Sequence, residues 1–96
     1  MPEVRWLPEA EGDLKRLIAF LFEKNPSAAQ RAAKSILDGC SLLASSPEIG
    51  RPMPDRDQWR ELIIPFASGA YVLRYRQDER GSLVVTRVWH SREWRD

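Results

Sequence analysis

Three prolines divide the first half of the sequence and fix where its helices begin and end. Pro8 and Pro26 each precede a segment in which apolar residues recur with a period near 3.6, and Pro47 follows the second segment. Proline fits the first turn of a helix but cannot continue one. The sequence therefore predicts helices over residues 8–24 and 26–45. Their very short connection predicts an antiparallel helical hairpin.

Each predicted helix has one apolar stripe that must be covered. The first stripe contains Ala10, Leu14, Leu17, Ile18, Leu21 and Phe22. The second contains Ala29, Ala32, Ala33, Ile36, Leu37, Cys40 and Leu43. A helical hairpin with this much apolar surface needs a third element, and we expect a sheet to supply it.

Strand patterns lie on both sides of the helical hairpin. Val4–Leu7 is a short candidate strand before the first helix. After a surface loop over residues 49–58, the pattern of residues 59–66 predicts a strand in which Pro65 indicates a sheet edge or an early end. Residues 71–76 and 83–90 alternate as two further strands. The predicted fold is α+β in the order β-α-α-β-β-β, with the helical hairpin packed on an antiparallel sheet of three to four strands.

The last two strands form a hairpin whose faces depend on its register. If residues 77–81 form the loop, Arg76 pairs with Ser82. The face packed on the helices would then contain Tyr71, Leu73, Tyr75, Leu83, Val85, Arg87 and Trp89. The solvent face would contain Val72, Arg74, Arg76, Val84, Thr86, Val88 and His90.

Length and composition limit the function classes. The 96 residues are enough for one domain, spanning residues 1–96. The sequence has neither a run of about 20 apolar residues nor the apolar stretch of a signal peptide, so we expect a cytoplasmic protein without membrane contact. Cys40 and His90 are the single cysteine and the single histidine, which excludes an internal disulfide and the usual Cys/His zinc sites. We predict no metal and no cofactor.

Basic residues are distributed unevenly along the chain. Residues 49–96 contain nine arginines, no lysine and seven acidic residues. Arginine binds carboxylate or phosphate through a rigid planar fork, so this usage indicates contact surfaces. A coding bias toward arginine explains it equally well.

Six segments, in order, resemble the RelE/ParE superfamily of bacterial toxins from type II toxin–antitoxin systems. They are the first strand, the helical hairpin, Gly50-Arg51-Pro52, Arg60-Glu61-Leu62, Tyr71-Val72-Leu73-Arg74-Tyr75-Arg76 and Val88-Trp89-His90-Ser91-Arg92. The resemblance covers nearly the whole chain. It implies a toxin that is neutralised by a cognate antitoxin, with which it forms a hetero-oligomer.

The resemblance implies one of two targets. RelE-like members cleave mRNA on the ribosome, whereas ParE-like members inhibit DNA gyrase. RNA cleavage needs acid–base groups and cations that hold the phosphate. The candidates for these roles are His90, Tyr75, Arg74, Arg60 and Glu61.

The C-terminal segment resembles the ParE-like ending, in which arginine follows histidine by two positions and a tryptophan comes next. His90, Arg92 and Trp94 fit this pattern, although Glu93 replaces the usual second arginine and Trp94 comes one residue early. The lysine-rich surface of RelE is missing, and Ser91 replaces the aromatic residue that follows its histidine. We therefore favour a gyrase inhibitor without chemistry of its own. A ribosome-dependent endoribonuclease, and an inactive member that acts only through complex formation, are the alternatives.

Contacts with the target or the antitoxin are expected from arginines and one terminal aromatic residue, Arg51, Arg60, Arg74, Arg76, Arg87, Arg92 and Trp94. Structural roles compete with these. Arg74 and Arg76 are possible partners of Glu61 across the sheet, and Arg51 is a possible cap of a helix C-terminus. His90 equally suits a hydrogen bond to the backbone that fixes the tail.

Overall fold

The computed structural model describes residues 2–93, which form two helices and one five-stranded sheet. The helices are α1 (Pro8–Lys24) and α2 (Pro26–Ser45), and the strands are β1 (Val4–Trp6), β2 (Arg51–Pro52), β3 (Trp59–Phe66), β4 (Gly69–Gln77) and β5 (Leu83–His90). The order across the sheet is β1-β5-β4-β3-β2. The predicted α+β fold is confirmed. The sheet has five strands rather than the predicted three to four, and β1 joins it parallel to β5 rather than antiparallel.

The helical hairpin turns at one residue, as its prolines predict. The Asn25 backbone N–H donates to the Leu21 carbonyl at 2.7 Å and closes α1. The Asn25 side chain then accepts a hydrogen bond from the Ala28 N–H at 3.1 Å and caps α2. One side chain thus satisfies a free donor at the start of the second helix.

The core lies between the helices and one face of the sheet. Its buried members include Leu17, Ile36, Leu73, Tyr75 and Val88, and Cys40 packs against them. Burial raises the pKa of the Cys40 thiol to about 11, so this side chain is a packing residue.

Two residues predicted in the apolar stripes are exposed. Phe22 and Leu37 are 58% and 57% exposed. Each directly follows a stripe residue, Leu21 or Ile36, and is therefore rotated about 100° away from it. That rotation is enough to carry both side chains out of the core.

A β-bulge corrects the predicted register of the β4–β5 hairpin. Arg76 pairs with Val84 rather than with Ser82, a shift of two residues that leaves the predicted faces unchanged near the turn. Tyr75 then lies opposite Val85 while Arg74 lies opposite Arg87, so Thr86 is an extra residue in β5.

Beyond the bulge the two faces of β5 exchange. Val88 and His90 lie opposite Leu73 and Tyr71, on the helix side, and Val88 is fully buried. Trp89 and Arg87 lie opposite Val72 and Arg74. The predicted faces of residues 87–90 are therefore wrong.

The edges of the sheet are short. Strand β2 pairs only with Arg60 and Glu61 of β3, in a segment predicted as loop. Pro65 lies past this pairing, and β3 ends one residue later, as its proline predicts.

Neither of the two helices described over residues 2–93 has the length and apolar character of a membrane span.

Candidate functional site

The face of the sheet opposite the helices, here called the open face, contains most of the predicted contact residues. By register it contains Arg51, Trp59, Glu61, Ile63, Val72, Arg74, Arg76, Val84, Arg87 and Trp89. Val72 and Val84 are only 6% and 1% exposed although no helix covers them. We infer that longer side chains of the same face cover these two valines.

Glu61 is the centre of a charged cluster on the open face. Its Oε1 accepts a hydrogen bond from Arg51 at 3.0 Å, and its Oε2 accepts two from Arg74 at 2.9 and 3.1 Å. The Arg74 guanidinium also stacks over the Trp89 ring at 4.8 Å. Arg74 thus pairs with Glu61 as predicted, and Arg51 pairs with it too instead of capping a helix. Both Glu61 oxygens are therefore occupied by hydrogen bonds to arginines within the fold.

Tyr75 and Arg60 lie on the other side of the sheet, where they hold the loop after α2. The Tyr75 hydroxyl accepts a hydrogen bond from the Gly50 N–H at 2.9 Å and donates one to the Pro47 carbonyl at 2.8 Å. Arg60 donates to the Gly50 carbonyl at 2.7 Å and to the Glu48 carbonyl at 3.1 Å. Burial raises the pKa of Tyr75, and the Gly50 hydrogen bond and Arg60 oppose this only in part.

Gly50 is required by this arrangement. A Cβ atom at that position would lie 2.7 Å from the Tyr75 ring and hydroxyl. Any larger residue would therefore push the loop away from the phenol and break the bridge between Gly50 and Pro47.

His90 lies at the opposite end of β4 from Tyr75. Its ring packs edge-on against Tyr71, with centroids 5.2 Å apart, and its Nδ1 accepts a hydrogen bond from the Arg92 N–H at 3.1 Å. Because His90 pairs with Tyr71, four residues along β4 from Tyr75, the two side chains are about 13 Å apart along the strand. The candidate acid–base groups of a ribonuclease therefore lie in three separate places.

The tail after β5 turns back against the β3–β4 connection. Ser91 and Ala70 exchange two hydrogen bonds, at 2.7 and 3.1 Å. Arg92 donates to the hydroxyl and the carbonyl of Ser68 at 3.0 and 3.3 Å. The predicted contact residue Trp94 lies outside the described residues. The predicted role of His90 in fixing the tail agrees with these contacts.

Arg87 and Arg76 have different surroundings. Arg87 forms a bidentate ion pair with Asp13 of α1, at 2.7 and 3.0 Å, which raises the pKa of Arg87. Arg76 lines a surface depression of about 580 Å³ near the β4–β5 turn. Three acidic and three basic side chains line this depression, so it lacks the excess positive charge of a phosphate site.

Three residues of the site were missed in the sequence. Asp13 accepts a hydrogen bond from the Val88 N–H at 2.9 Å as well as pairing with Arg87. Arg16 and Glu93 form an ion pair at 2.6 Å between α1 and the tail. One signal could have found the first of them, since Asp13 falls on the apolar stripe between Ala10 and Leu17.

Comparison with known proteins gives one family. Residues 4–94 match the model of the ParE toxin of the type II toxin–antitoxin system parDE. Toxin RelE1 of Caulobacter vibrioides is 41% identical over 87 residues, which cover 90% of this chain and 89% of the relative. Toxin RelE3 of the same organism is 37% identical over 95 residues, covering 99% of this chain and 100% of the relative.

A solved structure shares the fold. It is the chromosomal ParDE toxin–antitoxin system from P. aeruginosa, with a TM-score of 0.70 and 18% identity. The match covers 92% of this chain and 94% of that one. At this level of identity the likeness concerns the fold alone.

Proposed function

This chain belongs to the ParE toxin family of type II toxin–antitoxin systems, and from that premise we propose that it inhibits DNA gyrase by binding it. Gyrase is the target that the His90, Arg92 and Trp94 pattern implies through its resemblance to ParE-like members. In this proposal the toxin is a protein-binding inhibitor that catalyses no reaction itself.

The separation of the candidate acid–base groups is the observation that carries the proposal. Both oxygens of Glu61 are bonded to arginines, the Tyr75 hydroxyl is bonded within the fold, and His90 is about 13 Å from Tyr75 along the strand. General acid–base catalysis needs both groups within hydrogen-bonding reach of one substrate. This arrangement is unsuited to that requirement.

The proposed contact residues divide by exposure. Arg51 and Arg92 are exposed, and we assign them, with Trp94, to contacts with gyrase or the antitoxin. Arg74, stacked on Trp89, provides an aromatic–arginine pair of the kind enriched at interface centres. Arg76 and Arg87 are partly exposed, and we propose them as further contacts with gyrase or the antitoxin. Arg60, which lies against the loop after α2, is proposed as a contact as well.

Ribosome-dependent mRNA cleavage is the second candidate function. It is favoured by the names of the two Caulobacter relatives, Toxin RelE1 and Toxin RelE3. In this case substrate binding would have to bring His90, Tyr75 or Glu61 to the RNA by breaking contacts within the fold. Arg74 and Arg60 would bind phosphate.

The second partner in the proposal is a cognate antitoxin. The family description refers to a toxin–antitoxin system, so we propose a cytoplasmic hetero-oligomer in which an antitoxin segment lies across the helical hairpin and the sheet. A helix in a groove or an added strand would both allow this. A complex that leaves residues 71–94 uncovered would contradict that placement.

Two assays in parallel test the target. Purified toxin is added to a gyrase supercoiling reaction and to an in vitro translation reaction. We expect supercoiling to be inhibited while translation continues. Inhibited translation with intact supercoiling would establish the ribonuclease instead, and no effect in either assay would identify an inactive family member.

Variants sharpen the distinction. Arg92→Ala should abolish the inhibition of supercoiling. His90→Ala removes only one of the contacts that hold the tail, so in a protein that remains folded it should weaken inhibition without abolishing it. Lys34→Ala is the matched surface control, since it removes a cation from an exposed pair on α2. Loss of toxicity in folded His90→Ala or Tyr75→Phe would favour the ribonuclease.

A further inference from the structure

The Glu93 carboxylate, near the end of the described chain, contacts both the tail turn and helix α1. Its Oε1 accepts a hydrogen bond from the His90 N–H at 2.8 Å, and its Oε2 pairs with Arg16 of α1 at 2.6 Å. The Glu93 N–H also donates to the His90 carbonyl at 2.9 Å. One carboxylate therefore closes the tail turn on itself and joins it to a helix.

Arg16 is one of four alternating charges that connect β5, α1 and the tail. Asp13, one turn earlier, lies 3.7 Å from Arg16 and pairs with Arg87 of β5. Asp13 also binds the Val88 N–H. The order Arg87, Asp13, Arg16, Glu93 thus connects the end of β5, the helix and the tail through alternating charges.

We propose that Arg16 and Glu93 are positioning residues, which form a clamp that sets the direction of the chain beyond His90. After the last pairing of β5, that of His90 with Tyr71, Ser91 and Arg92 bond to the β3–β4 region, and the contact of Glu93 with Arg16 adds a connection to α1. The clamp holds the turn in which Arg92 lies against Ser68, and it connects that turn to α1.

The effect on inhibition rests on the proposed function. If the tail contacts gyrase, a free tail must be ordered on binding, and ordering a backbone opposes association. An exposed ion pair contributes little alone, but here it also orients a carboxylate that accepts a backbone hydrogen bond. We expect the loss of the clamp to raise the inhibitory concentration about fivefold.

Backbone ¹⁵N relaxation of the full chain tests the clamp without reference to gyrase. In the native protein, the order parameters of the Arg92 and Glu93 backbone amides should be about 0.85. Arg16→Gln or Glu93→Gln should lower them below about 0.6. The double variant should match the single ones, and Arg16→Lys should recover most of the order. Lys34→Gln, with the same charge change, should have no effect. Unchanged order in Arg16→Gln would overturn the clamp.

A second readout separates local from global effects. Exchange protection of the Val88 amide, which Asp13 holds, should stay the same in Arg16→Gln; loss there would mean that α1 itself has moved and would overturn a local clamp. The supercoiling assay then tests the consequence. A mobile tail with an unchanged inhibitory concentration would overturn the positioning role but not gyrase inhibition. If the native protein fails to inhibit gyrase, gyrase inhibition is wrong, and the relaxation data alone decide on the clamp.

Discussion

Replacing Tyr75 with phenylalanine removes one oxygen atom and two hydrogen bonds. The hydroxyl accepts from the Gly50 N–H and donates to the Pro47 carbonyl. Each neutral hydrogen bond contributes about 1 kcal/mol, and leaving a buried donor unsatisfied adds to the loss. We therefore expect Tyr75→Phe to lower the free energy of unfolding by about 2–3 kcal/mol. For a domain of this size that corresponds to a melting temperature about 10 °C lower or more.

Urea denaturation followed by circular dichroism measures this loss. The midpoint should fall by about 1 M or more with an unchanged slope. Tyr71→Phe is the matched control, because within the described residues the Tyr71 hydroxyl makes no hydrogen bond although its ring is equally buried; its cost should stay below about 0.5 kcal/mol. A loss below about 0.5 kcal/mol in Tyr75→Phe would refute the bridging role. Unchanged stability with lost toxicity would instead indicate a catalytic phenol.

Three further changes test other contacts. Asp13→Asn should cost about 2–4 kcal/mol in urea denaturation, because it leaves Arg87 unpaired, whereas the exposed Asp38→Asn should cost under about 0.5 kcal/mol; equal losses would contradict this. Because the folded pKa of Cys40 is raised from 9.0 to about 11, its stabilisation is complete below pH 9 and is lost as the pH rises through 11. Cys40→Ala should lack that loss, and an unchanged pH profile would be inconsistent with the burial. Gly69→Ala should lower the melting temperature, since the new Cβ would lie 2.7 Å from the His90 ring.

The helical half of the fold could be predicted because its signals are local. Proline is unfavourable inside a helix, because its ring clashes with the preceding turn and because it has no backbone N–H to donate. Pro8 and Pro26 therefore mark the starts of the two helices. The apolar stripes then give the buried faces. Errors occur at the margin of each stripe, as at Phe22 and Leu37, where one residue of rotation decides between core and solvent.

The sheet was less predictable because its signals are not local. The bulge at Thr86 depends on how β5 fits between two neighbours, and nothing in its own alternation marks it. Strand β2 has only two residues, which pair with Arg60 and Glu61 of the adjacent strand, and Arg51 forms an ion pair with Glu61. The contacts of Arg16 with Glu93 span 77 positions. A single sequence gives no distance information of that kind.

The parallel pairing of β1 with β5 makes folding depend on the order of synthesis. Val4 pairs with Leu83 and Trp6 with Val85, so the first described strand can pair only after the last described strand has been made. A nascent chain that ends before Leu83 lacks the partner of its own N-terminus, and its helical hairpin can pack only on an incomplete sheet. Such long-range closure is slow relative to local helix formation. Completion of the sheet is therefore expected to follow formation of the helical hairpin rather than to precede it.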